Sequence, residues 1–459
     1  MSENTLEIRT PNRQLRHQRE LRGWSQKRVA LEIHQRFPGV AVTEDDVKRW
    51  ESGKRRPGPY YREKLCAIFD MDAAALGLIK DEPADATPTE TSVIKMTHAQ
   101  AAAFAQLLSL GDKIMSQFDP SKRGAFKQLI ALATATMAVP QSMIEIIDPE
   151  PWERLARATT QPSTVNDATI NHFSNLLTTC QDLSNGTELE VAEGLLSKFL
   201  PRLRTLAPYQ PEIARLAAQG LQLKSILVAH HLKIDDKVTL CQQAVEHARQ
   251  ANDPDVLISA LLELAVALQY DKQPAKALQA YQEAQFYSNQ ASPVLQARAY
   301  VETGAALARC GRQQEALFYL GLAYDTLPDH PEDDPTFAIS DFCGPYALSL
   351  YDGFIHLDMG KPGRAWSGFE KFKTHPSTFP VPERIRLEIV NHQGRAAIMD
   401  KDLDRYIICL EDGLSGAITL KSKKRYNEAL SIYRQDVPTG WYKEPRLKDL
   451  AEEYHLNVN

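Results

Sequence analysis

Apolar residues recur at helical spacing along most of the chain, and the alternation of a half-buried strand is scarce. Near the N-terminus, Ser25 follows Gly23-Trp24 and precedes Val29, Ala30 and Ile33, an N-cap leading into one apolar helix face. Pro38-Gly39 interrupts that face, which predicts a connection over residues 34–42. Thr43 then caps a second, short helix. Glu44, Asp45 and Asp46 fill its first turn, where carboxylates complement the helix dipole, and Val47 and Trp50 face a small core. Gly53 suits a left-handed helix end, and Pro57 and Pro59 lead into a third helix with Leu65, Ile68 and Phe69.

Residues 81–97, rich in Pro, Thr, Asp and Glu, read as a linker, and residues 98–147 as a helical connector. From 148 to 459 the chain is helical almost throughout and weakly periodic. Leu261, Leu264, Ala265 and Leu268 define one helix, and Ala277, Tyr281 and Ala284 define the next. The same figure returns at Gly304 with Ala316, Leu320 and Ala323, and at Gly353 with Ala365, Phe369 and Phe372. A degenerate copy holds Gly394 with Tyr406, Leu410 and Gly413, and an earlier one holds Cys241 and Ala244. In each, a small residue on the first helix leads its counterpart by about 12 positions, which predicts two antiparallel helices in close contact. The copies stand 39, 49 and 41 residues apart at positions 277, 316, 365 and 406, so the loops between them are long.

Composition adds an asymmetry. The net charge of −6 divides into a head, residues 1–80, with 16 Lys and Arg against 11 Asp and Glu, and a remainder with 37 against 48. A basic head on an acidic body suits nucleic-acid contact by the head alone. Six scattered cysteines show no metal-ligand spacing, and the polar N-terminus is not a signal peptide. The apolar run after Ser121-Lys122-Arg123 is too short to span a bilayer. A cytoplasmic protein without membrane association is expected. The phosphate-binding, dinucleotide-binding, zincin and nucleophile-elbow motifs are absent, Asp400–Asp404 lacks the glycine and distal glutamate of a calcium loop, and His230 and His231 point about 100° apart on a helix. No catalytic residue, cofactor or metal ligand is assigned; an enzyme with an unrecognised site is the least favoured class.

The string from Ser25-Gln26 to Arg49-Trp50-Glu51 and the basic Lys54-Arg55-Arg56 resembles the Xre (Cro/C1-type) helix-turn-helix family over about 65 residues. The resemblance implies an all-α chain with an N-terminal five-helix DNA-binding domain over residues 1–80. It implies that Gln26 touches phosphate, that Glu44, Asp45 and Arg49 take the base-reading places, and that Lys54, Arg55 and Arg56 contact the backbone. Lys27, Thr43 and Lys48 complete the DNA-facing set, and Arg19 and Glu51 occupy the places of a structural ion pair. A carboxylate at the start of the reading helix can accept from cytosine N4 or repel phosphate, and both readings stay open.

The small-residue figure of the body resembles the tetratricopeptide repeat, which implies a helical-hairpin solenoid over residues 148–459. Its groove-facing places fall on Gln222, Gln269, Tyr270, Arg298, Arg309, Asn391 and Arg395, whose amide and guanidinium groups suit a peptide or protein ligand. The domain order is similar to that of peptide-responsive regulators of Gram-positive bacteria and to larger regulators of filamentous soil bacteria. It implies a homodimeric transcriptional regulator of double-stranded DNA. The competing class is a non-DNA scaffold or defence-type sensor with a repurposed head.

Overall fold

The computed structural model describes, with gaps, residues 12–78 of the head, and of the rest residues 154–334, 336, 344–374 and 381–456, with short gaps before 165. The expected linker, the connector, Gly53 and the Lys54-Arg55-Arg56 loop lie outside the described residues. Backbone packing divides the chain into two compact units, 1–91 and 92–459. Among the described residues the secondary structure is entirely helical, and no helix is long and apolar enough to cross a membrane.

In the head, α1 (Gln26–Arg36) and α2 (Glu44–Glu51) begin where the caps lie, and α3 (Pro59–Phe69) follows. Ser25 Oγ accepts from Arg28 N–H at 3.0 Å. Thr43 Oγ1 accepts from Asp46 N–H at 3.2 Å while Asp46 Oδ2 accepts from Thr43 N–H at 3.1 Å, a capping box that satisfies two donors at the helix start. The connection between α1 and α2 is shorter than the sequence suggests. His34 continues α1, its Nε2 3.1 Å from Val42 O, and the chain leaves the helix only after Arg36. Residues 37–43 are not an idle loop: Val40 and Val42 are buried with Val29, Ile33, Val47, Trp50, Leu65 and Phe69. Two apolar side chains in the core offset the entropy of ordering a long turn.

The body is a succession of paired helices. α4 (Asp167–Asn185) packs on α5 (Leu189–Leu206), α6 (Pro211–His230) on α7 (Ile234–Ala251), and α8 (Pro254–Tyr270) on α9 (Pro274–Ser288). Then α10 (Pro293–Arg309) packs on α11 (Gln313–Thr326), α12 (Pro345–Asp358) on α13 (Pro362–Glu370), and α14 (Glu383–Met399) on α15 (Leu403–Thr419). α16 (Lys423–Gln435) and α17 (Pro445–Glu453) end the series. Proline opens many of these helices, where its missing N–H costs nothing and its fixed φ is already helical.

The turn inside each pair from α6 onward, which recurs between α15 and α16, repeats more faithfully than the sequence does. Leu232, Lys272, Gly311, Gly360, Lys401 and Lys421 all have φ between 54° and 76°. The residue after each donates back across the turn to a carbonyl of the preceding helix, as Gln273 N–H does to Leu268 O at 2.9 Å and Asp402 N–H to Ala397 O at 2.9 Å. This is a Schellman closure, which reverses the chain and satisfies the last carbonyls together. Ala277, Ala316, Ala365 and Tyr406 each lie five residues past the left-handed residue, at the contact between paired helices, and are fully buried. A Cβ on Gly304 would stand 3.1 Å from Ala316 O, and one on Gly353 would enter the Phe369 ring. The small residues therefore set how closely the helices approach.

The end of the series returns to its beginning. Arg384 Nη2 donates to Asn185 Oδ1 at 3.0 Å, Lys421 Nζ lies 2.7 Å from Glu190, and His230 Nδ1 lies 2.6 Å from Ser422 Oγ. Leu387 and Leu420 join the same apolar cluster as α4 to α8. The body thus curves until α14 and α16 meet the α6–α8 layer, enclosing a space between them.

Candidate functional site

Two surfaces bear on function, one in each unit. In the head, Arg19 grips Glu51 through two bonds, Nε to Oε1 at 2.6 Å and Nη2 to Oε2 at 3.1 Å, with Glu51 5% exposed. Gln26 Nε2 donates to the same carboxylate at 2.7 Å, so the residue expected at phosphate is turned toward the helix behind it. Arg22 and Arg36 donate at 2.6 Å to Phe69 O and Ala67 O, two carbonyls at the C-terminal end of α3. The outer face of α2 carries Glu44, Asp45, Lys48 and Arg49, all exposed, with Thr43 at its start and Lys27 exposed on α1. Arg49 Nη2 lies 3.1 Å from Asp45 Oδ2, one turn earlier.

In the body, the enclosed space is a pocket of about 610 Å³. Of the seven groove residues expected from sequence, five line it: Gln269, Tyr270, Arg298, Arg309 and Arg395. Gln222 and Asn391 do not. Gln222 Oε1 accepts from Ser259 Oγ at 2.8 Å and ties α6 to α8. Asn391 Nδ2 donates to Arg425 O at 3.1 Å and Glu428 Oε2 at 2.9 Å, locking α14 to α16. Both are buried between helices because the curvature of the body turns their faces into a contact instead of a groove.

The pocket floor is ionic. Lys237 pairs with Glu263; Arg298 binds Glu302 at 2.7 Å and approaches Glu263 at 3.8 Å. Arg425 pairs with Glu388 and with Glu428, the latter at 3.0 Å. Tyr270 O–H donates to Glu388 at 3.2 Å, and Lys424 Nζ stands 4.1 Å over the Tyr270 ring. At the rim, Arg309 lies 3.4 Å from Asp358 and Arg395 3.2 Å from Asp436. His392 stacks edge-on against Phe354 at 4.5 Å.

Burial of this many charges shifts their titration. Burial alone would raise the Glu388 carboxyl, yet Arg425 and Lys424 hold it below its ordinary value. Glu263 behaves alike, burial opposed by Lys237 and Arg298. Burial, then the Arg425 guanidinium, pushes Lys424 down to about 7. Burial lowers His230 well below the usual imidazole range, and Lys424, Arg425, Arg384 and Lys237 lower it further. Glu388, His392 and Glu428 bring their ligand atoms within 4.8 Å of one another, a spacing a metal ion could use. Arg425 already lies on both carboxylates and supplies the positive charge that a cation would bring.

Lys237, Lys424, Arg425, Arg384, Glu263, Glu388 and Glu428 were not singled out by the sequence. A signal existed for some. Lys237 lies five residues past left-handed Leu232, the register that Ala277, Ala316 and Ala365 fill with alanine. Glu263 interrupts the apolar run ISALLELAVAL, and Glu388 interrupts RLEIV. A charge at a core register is expensive to bury, so it marks a place kept for something other than stability. No family model matches this chain, and no curated protein matches it.

Proposed function

We propose that the chain is a sequence-specific DNA-binding regulator, its head an Xre-type helix-turn-helix domain and its body a tetratricopeptide-like array that senses a ligand and forms a homodimer. The observation that carries the first half is the Arg19–Glu51–Gln26 cluster beneath an exposed α2. It anchors one end of the helix and leaves Lys48 and Arg49 outward, the arrangement needed to lay a helix in a major groove. Gln26 would have to exchange Glu51 for phosphate on docking.

The ionic pocket supports the second half. Its volume, about 610 Å³, lies within the range of small-molecule sites and admits a short peptide end, but not a folded protein. A ligand there touches α6–α8 on one side and α14–α16 on the other. Its binding energy favours one curvature of the array, and in a dimer that resets the spacing of two heads on paired half-sites.

Selection of bound sequences from random duplex DNA, followed by titration against salt, tests the reading. Affinity should fall steeply as salt rises. Arg49→Ala should cost about 1–3 kcal/mol and relax base preference, whereas Lys54→Ala should weaken binding evenly across sequences. Absence of any salt-sensitive DNA binding overturns it.

A second reading, a protein-docking head on a scaffold or sensor, is favoured by one observation: Arg49 is tied to Asp45, and the start of α2 presents three carboxylates. Under it, no duplex is enriched.

A further inference from the structure

The charge on the pocket wall is unbalanced. Eight Lys and Arg line it, Lys237, Lys272, Arg298, Arg309, Arg384, Arg395, Lys424 and Arg425, against four carboxylates, Glu263, Asp358, Glu388 and Glu428. Glu302 and Asp436, outside that lining, pair with Arg298 and Arg395, which leaves a surplus of two inside a chain whose net charge is −6. Each of the lining carboxylates already has a cation: Glu263 has Lys237, Asp358 has Arg309, and Glu388 and Glu428 share Arg425.

Lys424 stands apart in this arrangement. Among the described residues no carboxylate lies within ion-pairing distance of its Nζ, which stands over the face of Tyr270. It projects into the pocket beside Arg425, and His230 behind it feels Lys424, Arg425, Arg384 and Lys237 together. A cationic wall in a low-dielectric recess, with apolar Val266, Leu350, Phe354 and Ile385 beside it, is half of an ionic contact.

We infer that the pocket takes a small anion carrying at least two clustered negative charges, its acid groups set against Lys424 and the cations around His230. This rests on the reading of the pocket as the ligand site, and not on the head binding DNA. Phosphate and carboxylate groups share the required chemistry, since guanidinium groups receive either in two-bond geometry. Binding would return Lys424 to its charged form, so the complex takes up a proton when formed above neutral pH.

Calorimetric titration of the full chain with pyrophosphate and, separately, citrate tests the inference, with spermidine as the probe of opposite charge. Saturable binding of pyrophosphate, citrate or both, one per chain, is expected, and none of spermidine; which of the two binds distinguishes phosphate from carboxylate. Affinity for citrate, fully ionised above neutrality, should weaken as pH rises from about 7.5 to about 9, as Lys424 loses its proton. Lys424→Met should weaken the anion at least about tenfold while raising the melting temperature, which separates lost binding from lost folding. Lys448→Ala, exposed on α17, should change neither. Binding of neither anion, or equal binding by Lys424→Met, overturns the inference. Failure of anion binding with DNA binding intact leaves the regulator standing, and loss of DNA binding with anion binding intact leaves the pocket.

Discussion

The head and the body place charge in opposite ways. Among its described residues the head buries the ion pair of Arg19 with Glu51 at the edge of a core of valines, leucines and aromatics, and keeps Lys27, Lys48 and Arg49 outside. The body buries a network around an inner space, with Lys237, Arg298, Arg384 and Arg425 each under 5% exposed. Surface charge is inexpensive to maintain and suits an extended, salt-screened partner. Buried charge costs several kcal/mol per ion unless paired, and replacing such pairs with apolar groups is often stabilising. A fold that keeps them inside gives up stability to do so, which supports the proposal that the body holds a small, desolvated ligand. Charge in the head addresses a surface, and charge in the body addresses a volume.

Breaking one partner of the buried network should produce the largest effect. Arg298→Ala leaves Glu302, 0% exposed, without its 2.7 Å partner and should cost about 3–5 kcal/mol in denaturant unfolding. A loss below about 1 kcal/mol would mean that the network is solvated and that the contrast with the head is false.

Glu51→Gln removes the carboxylate that holds both Arg19 and Gln26, and should cost the head about 2–3 kcal/mol. The two units have separate cores, so the change should move only the head's unfolding transition in a calorimetric scan. A matching shift of the body's transition would show that the units do not unfold independently.

The pH response sharpens the comparison further. His230 is buried and held neutral, so below about pH 6.5 the unfolded chain takes up a proton that the folded body refuses. The body should lose stability as pH falls from about 7 to 5, and His230→Gln should flatten that slope. Among the described residues of the head no imidazole is buried, and its transition should move less over the same window.

The smallest effect belongs to the outer face of α2. Asp45→Ala breaks an exposed pair and should change stability by no more than about 0.5 kcal/mol. If the head docks on DNA, the same change frees Arg49 and removes a carboxylate near phosphate, so affinity should rise. A fall in affinity would place Asp45 on a base instead.

How much of this was legible beforehand follows from the distance over which each interaction acts. Ser25 and Thr43 were readable as caps because an N-cap reaches only two or three residues. The approach of Gly304 to Ala316 was readable because a hairpin contact needs one short turn. The length of the α1–α2 connection was overestimated, since Pro38-Gly39 marks a break without saying where the helix before it ends. Gln222 and Asn391 were misplaced because a groove position and an interhelical position have the same local spacing. Lys237 was missed although its register set it apart.

The sequence by itself determined the all-α class, the helix starts, the tight pairing of helices in the body and the Arg19–Glu51 partnership, through caps, periodicity, small residues and a local motif. Only the tertiary structure decided that the body closes, bringing Arg384 to Asn185 across 199 residues and Glu388 to Tyr270 across 118. Curvature is a sum of small rotations, one per helix pair, and no single segment encodes the total. That sum decided which polar side chains line a pocket and which are sealed between helices. It also gathered cations from α7, α10, α14 and α16, each unremarkable on its own helix, around one space.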